Sequence, residues 1–343
     1  MASNSAPIAS PTTSKPVQPA TRQDMLALWG GVAFSVLFTA AIWWLGPRLD
    51  AVVKLPDAGA TWYYWKLPEP TFWSRATAWG FYLLHQLSIW ALIFMAQKER
   101  PKYSSGLNRF NVMALAANAL FATLHLVQTH LWYDGLAQDV HIYTSQWSVI
   151  LMLVIIVLME NPRRGMFFGK KAPLSKRVTG FFRTYHGYIF SWGIIYTFWY
   201  HPTEYTSGHL LGFFYTLLLM LQGSLFFTKA HLNRWWGFTL ETLVLIHGTT
   251  VALSNAPTLW QMFGFGFAGI VVVTSMYGLG LPRWVRLTVI GVYVSAILWV
   301  YSSVGYPKIH QVTWIPLTYY ATALALALLV GTGLWVADRV KRV

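Results

Sequence analysis

Long apolar segments recur along almost the whole chain, and they constrain the fold more than any other feature. Ten of them lie between positions 25 and 336. Each is long enough to cross the ~30 Å apolar core of a bilayer as a helix, because a helix rises ~1.5 Å per residue. The sequence therefore predicts an all-α, polytopic integral membrane helix bundle with about ten transmembrane helices.

The predicted spans leave no room for a separate soluble domain. Only 10% of the residues are charged, against about 25% in soluble proteins. Residues 1–24 are rich in Ser, Pro, Thr and Ala and predict a disordered cytoplasmic tail. Residues 25–343 form a single predicted transmembrane domain. Its spans are 25–46, 76–97, 110–132, 141–160, 179–200, 209–228, 235–254, 259–279, 285–304 and 312–336.

The basic residues predict the orientation of the bundle. Of 25 Lys and Arg, the ten-span arrangement places 20 on one side of the membrane and 5 on the other. This is the positive-inside pattern, so both termini are expected in the cytoplasm, with a bacterial inner (plasma) membrane as the location. The net charge of +14 then reflects topology, and no basic stripe with interleaved aromatic residues indicates a nucleic-acid partner. The outer cations are Arg48, Lys54, Lys66, Arg75 and Lys308.

The chain contains no cysteine, which limits its chemistry. Thiolate metal sites, iron–sulfur clusters, covalently attached c-type haem and a cysteine nucleophile are all excluded. Any metal ion or haem would be held by other side chains, mainly histidine.

Eight of the ten histidines fall in the predicted outer half of the protein or just beyond it. His85, His125 and His247 share a depth of ~18–22 Å from the inner boundary, by helical rise. A second group lies at the outer rim, where acidic residues such as Glu204 are close in sequence. The eight are His85, His125, His130, His141, His201, His209, His247 and His310.

This concentration of imidazoles suggests a binding site, since neutral histidine is a common metal ligand and the usual axial ligand of b-type haem. We expect either a His-ligated transition metal or one b-type haem, with His85, His125 and His247 binding the cofactor. Alternatively, each buried histidine makes one hydrogen bond between helices and helps to pack the bundle. The expected metal ligands are His125, His130, His141, His201, His209, His247 and Glu204.

Glu241 is the one carboxylate well inside a predicted span. An acidic side chain within the membrane suggests a functional site. Because burying an isolated charge is costly, the carboxyl group should be protonated or paired with a cation. His186 lies at nearly the same depth, with Arg183 one turn away, so Glu241 and His186 are the candidate catalytic pair or proton relay. The alternative is a neutral packing carboxyl. Asn111, Asn118 and His125 recur every seven residues and predict a polar stripe on the third span.

Three function classes remain open from the sequence. The first is a membrane-bound redox protein or oxidoreductase with a His-rich metal or haem site towards the outer face. The second is a metal-free, acyl-transferase-like enzyme that modifies a lipid or glycan, with histidine as general base. The third is a proton-coupled transporter that uses Glu241. The expected partners are the lipid bilayer and a lipid or quinone-like apolar substrate.

Overall fold

The computed structural model describes residues 22–59, 62–104 and 106–341, and this part of the chain is helical with no β-strand. Within these residues, ten α-helices overlap the ten predicted spans, which confirms the all-α helix bundle. Eight of them are long and apolar enough to cross a membrane; α5 and α6 are the other two. The helices are α1 (Arg22–Leu45), α2 (Phe72–Glu99), α3 (Arg109–Trp132), α4 (Ile142–Arg164), α5 (Lys176–Tyr200), α6 (Ser207–Ser224), α7 (Arg234–Asn255), α8 (Trp260–Val273), α9 (Arg283–Val304) and α10 (Trp314–Val340).

The first helix begins earlier than the sequence suggests. Residues 22–24, which the sequence assigns to the disordered tail, already form the first turn of α1. The rest of that predicted tail, residues 1–21, lies outside the described residues.

Polar side chains define where several helices start. Thr71, Asn108, Ser175 and Thr206 precede α2, α3, α5 and α6, and each accepts a hydrogen bond from a main-chain N–H of the first turn. Such caps satisfy amide groups that have no partner within the helix. Asn108 forms a complete capping box with Asn111.

The connecting loops meet at two opposite ends of the bundle. At one end, which we call the histidine end, segment 46–71, described for residues 46–59 and 62–71, contacts loops 133–141 and 201–206. At the other, the basic end, Phe168 N–H donates to the Val273 carbonyl (2.8 Å) and Ser104 N–H donates to the Phe227 carbonyl (3.1 Å). Successive helices therefore run in alternating directions, as the short loops predict.

The main core forms where α2, α3, α5 and α6 pack together. It is rich in aromatic residues, with Trp199 and Tyr200 fully buried. The polar stripe predicted on α3 does face this core: Asn111 is buried and donates to the carbonyls of Ser224 (2.7 Å) and Phe226 (2.9 Å). A second core joins α4, α5, α8 and α10.

Candidate functional site

Segment 46–71 folds over the histidine end and is held there by polar contacts. Lys54 forms an ion pair with Glu204 (2.7 Å), and Tyr133 donates a hydrogen bond to the same carboxylate. Tyr205 donates to Asp50 at 2.8 Å. Glu204 is only 1% exposed, so its pairing with Lys54 and Tyr133 offsets the cost of removing a carboxylate from water.

The Tyr63 side chain of this segment is inserted into the bundle. Its side chain is 4% exposed, and its hydroxyl lies 2.8 Å from Nδ1 of His201 and 3.5 Å from Nε2 of His209. The ring of Trp65 packs edge-on against His209, with ring centroids 4.5 Å apart. Burial raises the pKa of Tyr63 well above its ordinary value, and the negative charge of Glu204 raises it further. The phenol therefore stays neutral and keeps a proton to donate.

The hydrogen-bond partners show which atom donates and which accepts in each bond between these side chains. Thr206 Oγ1 accepts the main-chain N–H of His209, so its hydroxyl proton is free to donate to His209 Nδ1 at 2.8 Å. His209 then carries its proton on Nε2, which faces the Tyr63 oxygen, and Tyr63 donates to His201 Nδ1. The result is a directed chain from Thr206, which is exposed, through His209 and Tyr63 to His201.

Two further imidazoles lie beside the end of this chain. His201 interacts electrostatically with His125, His209 and His247, and we call these four residues the histidine cluster. The rings of His201 and His209 are 5.2 Å apart. His125, from α3, is fully buried and stacks on Trp199 with centroids 4.3 Å apart.

His247 reaches the cluster from α7 across a glycine of α6. A β-carbon at Gly212 would lie 3.0 Å from Cε1 of His247, so glycine is needed for the imidazole to approach this closely. The sequence placed His125 and His247 at one depth, and in the structure both lie near enough to His201 to influence it electrostatically.

Buried nitrogens of the cluster have no hydrogen-bond partner. Among the residues that the structure describes, none bonds to Nδ1 or Nε2 of His125 or to Nδ1 of His247. The main chain of His201 lies beside the His125 ring, but outside good hydrogen-bond geometry. Buried polar atoms in proteins are normally paired with protein, water or ligand. These nitrogens therefore mark the place where a further polar group is expected.

His201 predicts how stability should depend on pH. Burial lowers its pKa well below the ordinary value of 6.5, and the neighbouring imidazoles His209, His247 and His125 lower it further. Below pH 6.5 the His201 imidazole binds a proton in the unfolded chain but stays neutral in the folded protein. Stability is therefore complete above this pH and falls as the pH is lowered, by up to about 1.4 kcal/mol per pH unit for one group.

The expected result is a thermal unfolding midpoint that drops between pH 7.5 and pH 5 in detergent. His201→Gln should make the drop shallower by the share of this one group, whereas His310→Gln, which alters an exposed histidine, should leave it unchanged. An equal slope in wild type and His201→Gln would show that His201 is not responsible.

His85, which the sequence predicted would bind a cofactor with His125 and His247, has protein partners for both of its ring nitrogens. Trp199 can only donate, so its bond to His85 Nδ1 (3.2 Å) uses the lone pair of that nitrogen. His85 Nε2–H then donates to Asn118 (2.7 Å), whose amide donates to Ser224 (2.8 Å). Both nitrogens are occupied, which leaves none for a metal ion or haem iron. The side chain instead forms hydrogen bonds between helices, which is the packing role given above as the alternative.

The predicted metal ligands are not brought together as a set. His130 bonds the Leu126 carbonyl of its own helix (2.9 Å), and His141 caps α4 by accepting the Tyr143 N–H (3.3 Å). Glu204 is engaged by Lys54 and Tyr133. Across the described ranges, no three His or carboxylate side chains are arranged to hold a metal ion. Helix depth alone could not reveal this, because side-chain direction decides which groups meet.

Glu241 has a cationic partner, but it is neither of those expected from depth. Arg164, at the end of α4, places Nη1 2.8 Å from both carboxylate oxygens, and Ser275 donates to Oε2 at 2.6 Å. His186 instead donates from Nδ1 to the Arg183 carbonyl (2.8 Å). The expected pairing of Glu241 with His186 or Arg183 is therefore wrong. The pair lies towards the basic end, on the opposite side from the histidine cluster.

Sequence reasoning missed two residues that matter most to these sites. Tyr63 was one of several aromatic residues in a segment typical of a membrane interface. Arg164 was counted among the loop cations that define orientation. One signal did exist for Arg164: an intramembrane carboxylate requires a cation, and the Arg163–Arg164 pair ends a neighbouring apolar span.

No protein-family model, curated protein or solved structure matches this chain.

Proposed function

We propose that the protein is a membrane-embedded enzyme that modifies a lipid or glycan by acyl transfer, with a histidine of the cluster as general base. The observation that carries the proposal is the unpaired Nδ1 of His247 beside a directed hydrogen-bond chain that ends at an exposed threonine. A neutral imidazole with a free lone pair can accept a proton from a hydroxyl group. His247 is only half-buried, whereas His125 is enclosed by Trp199, Phe198 and Phe213.

The proposed reaction uses the cluster as follows. His247 removes the proton of an acceptor hydroxyl while its oxygen forms an ester bond to the acyl carbon of an ester or thioester donor. The bond from that carbon to the donor's leaving group breaks, and the imidazolium returns the proton to the leaving group. His201, Tyr63 and His209 can exchange protons with the surface through Thr206, since each hydrogen-bonds to the next.

The test is product analysis. The protein is expressed in cells that lack it, and lipids and surface glycans are compared by mass spectrometry with those of cells carrying an empty vector. The proposal expects an added acyl group on one lipid or glycan class. An unchanged profile, together with a well-folded purified protein, would count against it.

A redox protein with a His-bound metal or one b-type haem is the second proposal. The unpaired nitrogens of His125 and His247 favour it, because a metal ion would satisfy them. Two ligands from these side chains would need completion by other groups, since the described residues offer no set of three. A visible spectrum and metal analysis of the purified protein decide between the proposals: a Soret band or a stoichiometric transition metal selects the redox function.

We also propose that the basic end faces the cytoplasm of a bacterial inner membrane. The support is the distribution of Lys and Arg between the two ends of the bundle. Because the chain has no cysteine, single cysteines report the side directly. A membrane-impermeant thiol reagent applied to intact cells should label Tyr205→Cys but leave Lys170→Cys unlabelled until the cells are permeabilised. Labelling of both from one side would refute the ten-span topology.

A further inference from the structure

A lipid-sized groove lies at the histidine end, beside the site described above. It has a volume of about 600 Å³ and is lined by the end of α1, parts of segment 46–71 and the last two turns of α3. This volume is within the ~300–1,000 Å³ range of small-molecule sites. Most of its lining is apolar, including Leu45, Leu49, Leu126, Val127 and Leu131.

Among the described residues, one Lys or Arg side chain, that of Arg48, lines the groove, and an exposed tryptophan lies beside it. Arg48 is exposed and lies over the ring of Trp44 at 5.6 Å. Trp44 is 70% exposed at the end of a predicted span, the position where tryptophan lies at the level of lipid headgroups. From Trp132 the groove descends along α3 to Leu126, a distance of about 9 Å by helical rise.

We propose that this groove binds an anionic glycerophospholipid, with its phosphate at Arg48 and the start of one acyl chain along Leu126, Val127 and Leu131. Charge complementarity favours this occupant. No Asp or Glu is among the described residues that line the groove. Arginine also suits phosphate, because its planar guanidinium donates two parallel hydrogen bonds to it.

Arg48 is available for this role in a way that the neighbouring cations are not. Lys54 is paired with Glu204, and Arg75 is paired with Asp134 and Asp139. Lys66, over the ring of Trp62 at 4.5 Å, does not line the groove. In the described part of the chain, no ion pair includes Arg48.

The groove shares a wall with the loop that carries His201. Tyr133 lines the groove and donates to Glu204, while Thr129 lines it and accepts the main-chain N–H of Thr203 at 3.0 Å. Thr203 is two residues from His201 in the same loop. A role of the bound phospholipid as acyl donor or acceptor rests on the proposed function, whereas its binding does not.

The first test measures stabilisation by lipid. Wild type in nanodiscs of phosphatidylcholine is compared with wild type in nanodiscs that also contain phosphatidylglycerol. Because ligand binding stabilises the folded state, we expect the anionic lipid to raise the unfolding midpoint by about 2–4 °C. Arg48→Gln should lose this increment. Lys308→Gln, which removes another exposed cation of the predicted outer face that does not line the groove, should keep it.

The second test fills the groove. Val127→Trp introduces bulk into the lining, and Leu298→Trp makes a comparable change on an exposed part of α9. After detergent exchange, retained lipid is extracted and identified by mass spectrometry. Val127→Trp should retain several-fold less phosphatidylglycerol than Leu298→Trp. Equal retention in Arg48→Gln, Val127→Trp and wild type would overturn the proposal, as would retention of phosphatidylcholine or free fatty acid in place of the anionic phospholipid.

Both measurements are repeated on the His247→Ala variant, so that lipid binding is measured in a protein that does not consume the lipid. Loss of lipid retention in Arg48→Gln on this background supports the site. A wild-type protein that acylates its substrate but shows no Arg48-dependent lipid binding would overturn this inference and leave the proposed function standing.

Discussion

Replacing Glu241 with leucine is expected to lower the free energy of unfolding by about 3–5 kcal/mol, because it leaves a buried guanidinium without its counter-charge. The Arg164 side chain is only 3% exposed, and its Nε has no partner among the described residues. The loss should appear as a lower thermal unfolding midpoint of the purified protein in detergent or nanodiscs.

The matched control is Glu99→Leu. Glu99 pairs with Arg109 on the surface, where both side chains are about half exposed or more, so its loss should cost less than about 1 kcal/mol. The double variant Arg164→Met/Glu241→Leu should recover most of the stability, since apolar replacement of a whole buried pair is often neutral. Equal effects of Glu241→Leu and Glu99→Leu would show that the Arg164 pair is solvated.

Glu241→Gln separates this structural role from proton transfer. It keeps the size of the side chain and an acceptor for Ser275 but removes the titratable group. If Glu241 carries protons, as the transporter hypothesis requires, a folded Glu241→Gln protein loses turnover or coupling. Full activity would leave Glu241 with a structural role only.

His247→Ala is expected to reduce acyl transfer by about 10²–10⁴-fold, the usual contribution of a general base, without comparable loss of stability. Because Nδ1 of His247 has no hydrogen-bond partner among the described residues, its removal breaks no hydrogen bond at that atom. Turnover of the product found by lipid or glycan analysis is the measurement, with the unfolding midpoint recorded in parallel. Activity within a few-fold of wild type would exclude His247 as the base.

The position of His247 can be changed while its imidazole is kept. Gly212→Ala places a methyl group 3.0 Å from Cε1 of His247, tighter than ordinary contact, so the ring must shift. Because the ring need give only by a few tenths of an ångström, we expect a several-fold loss of rate, smaller than the His247→Ala defect. Gly208→Ala, one turn earlier on α6, meets only Val251 at 3.5 Å and should be near wild type.

Several polar features of the fold were predictable because they follow local rules. The stripe of Asn111, Asn118 and His125 has a seven-residue repeat, which a helix converts into one face, and that face does point into the core. That Glu241 would be either protonated or paired with a cation was also predictable, since desolvation penalises an isolated charge wherever it is buried. The identity of the cation was not, because Arg164 reaches Glu241 from the end of another helix.

The sequence by itself determined the all-α class and the approximate position of each helix. A helix that crosses a bilayer needs about 20 apolar residues, so each span can be recognised from its own segment of sequence. Only the tertiary structure decided which imidazoles meet. Histidines at one depth can face each other or face away, depending on how each helix is rotated and tilted. That rotation joins His125 and His247 to His201, commits His85 to Asn118 and Trp199, and brings Tyr63 from a surface segment between His201 and His209. It is set by side-chain packing between segments that are distant in sequence, such as Gly212 of α6 against His247 of α7.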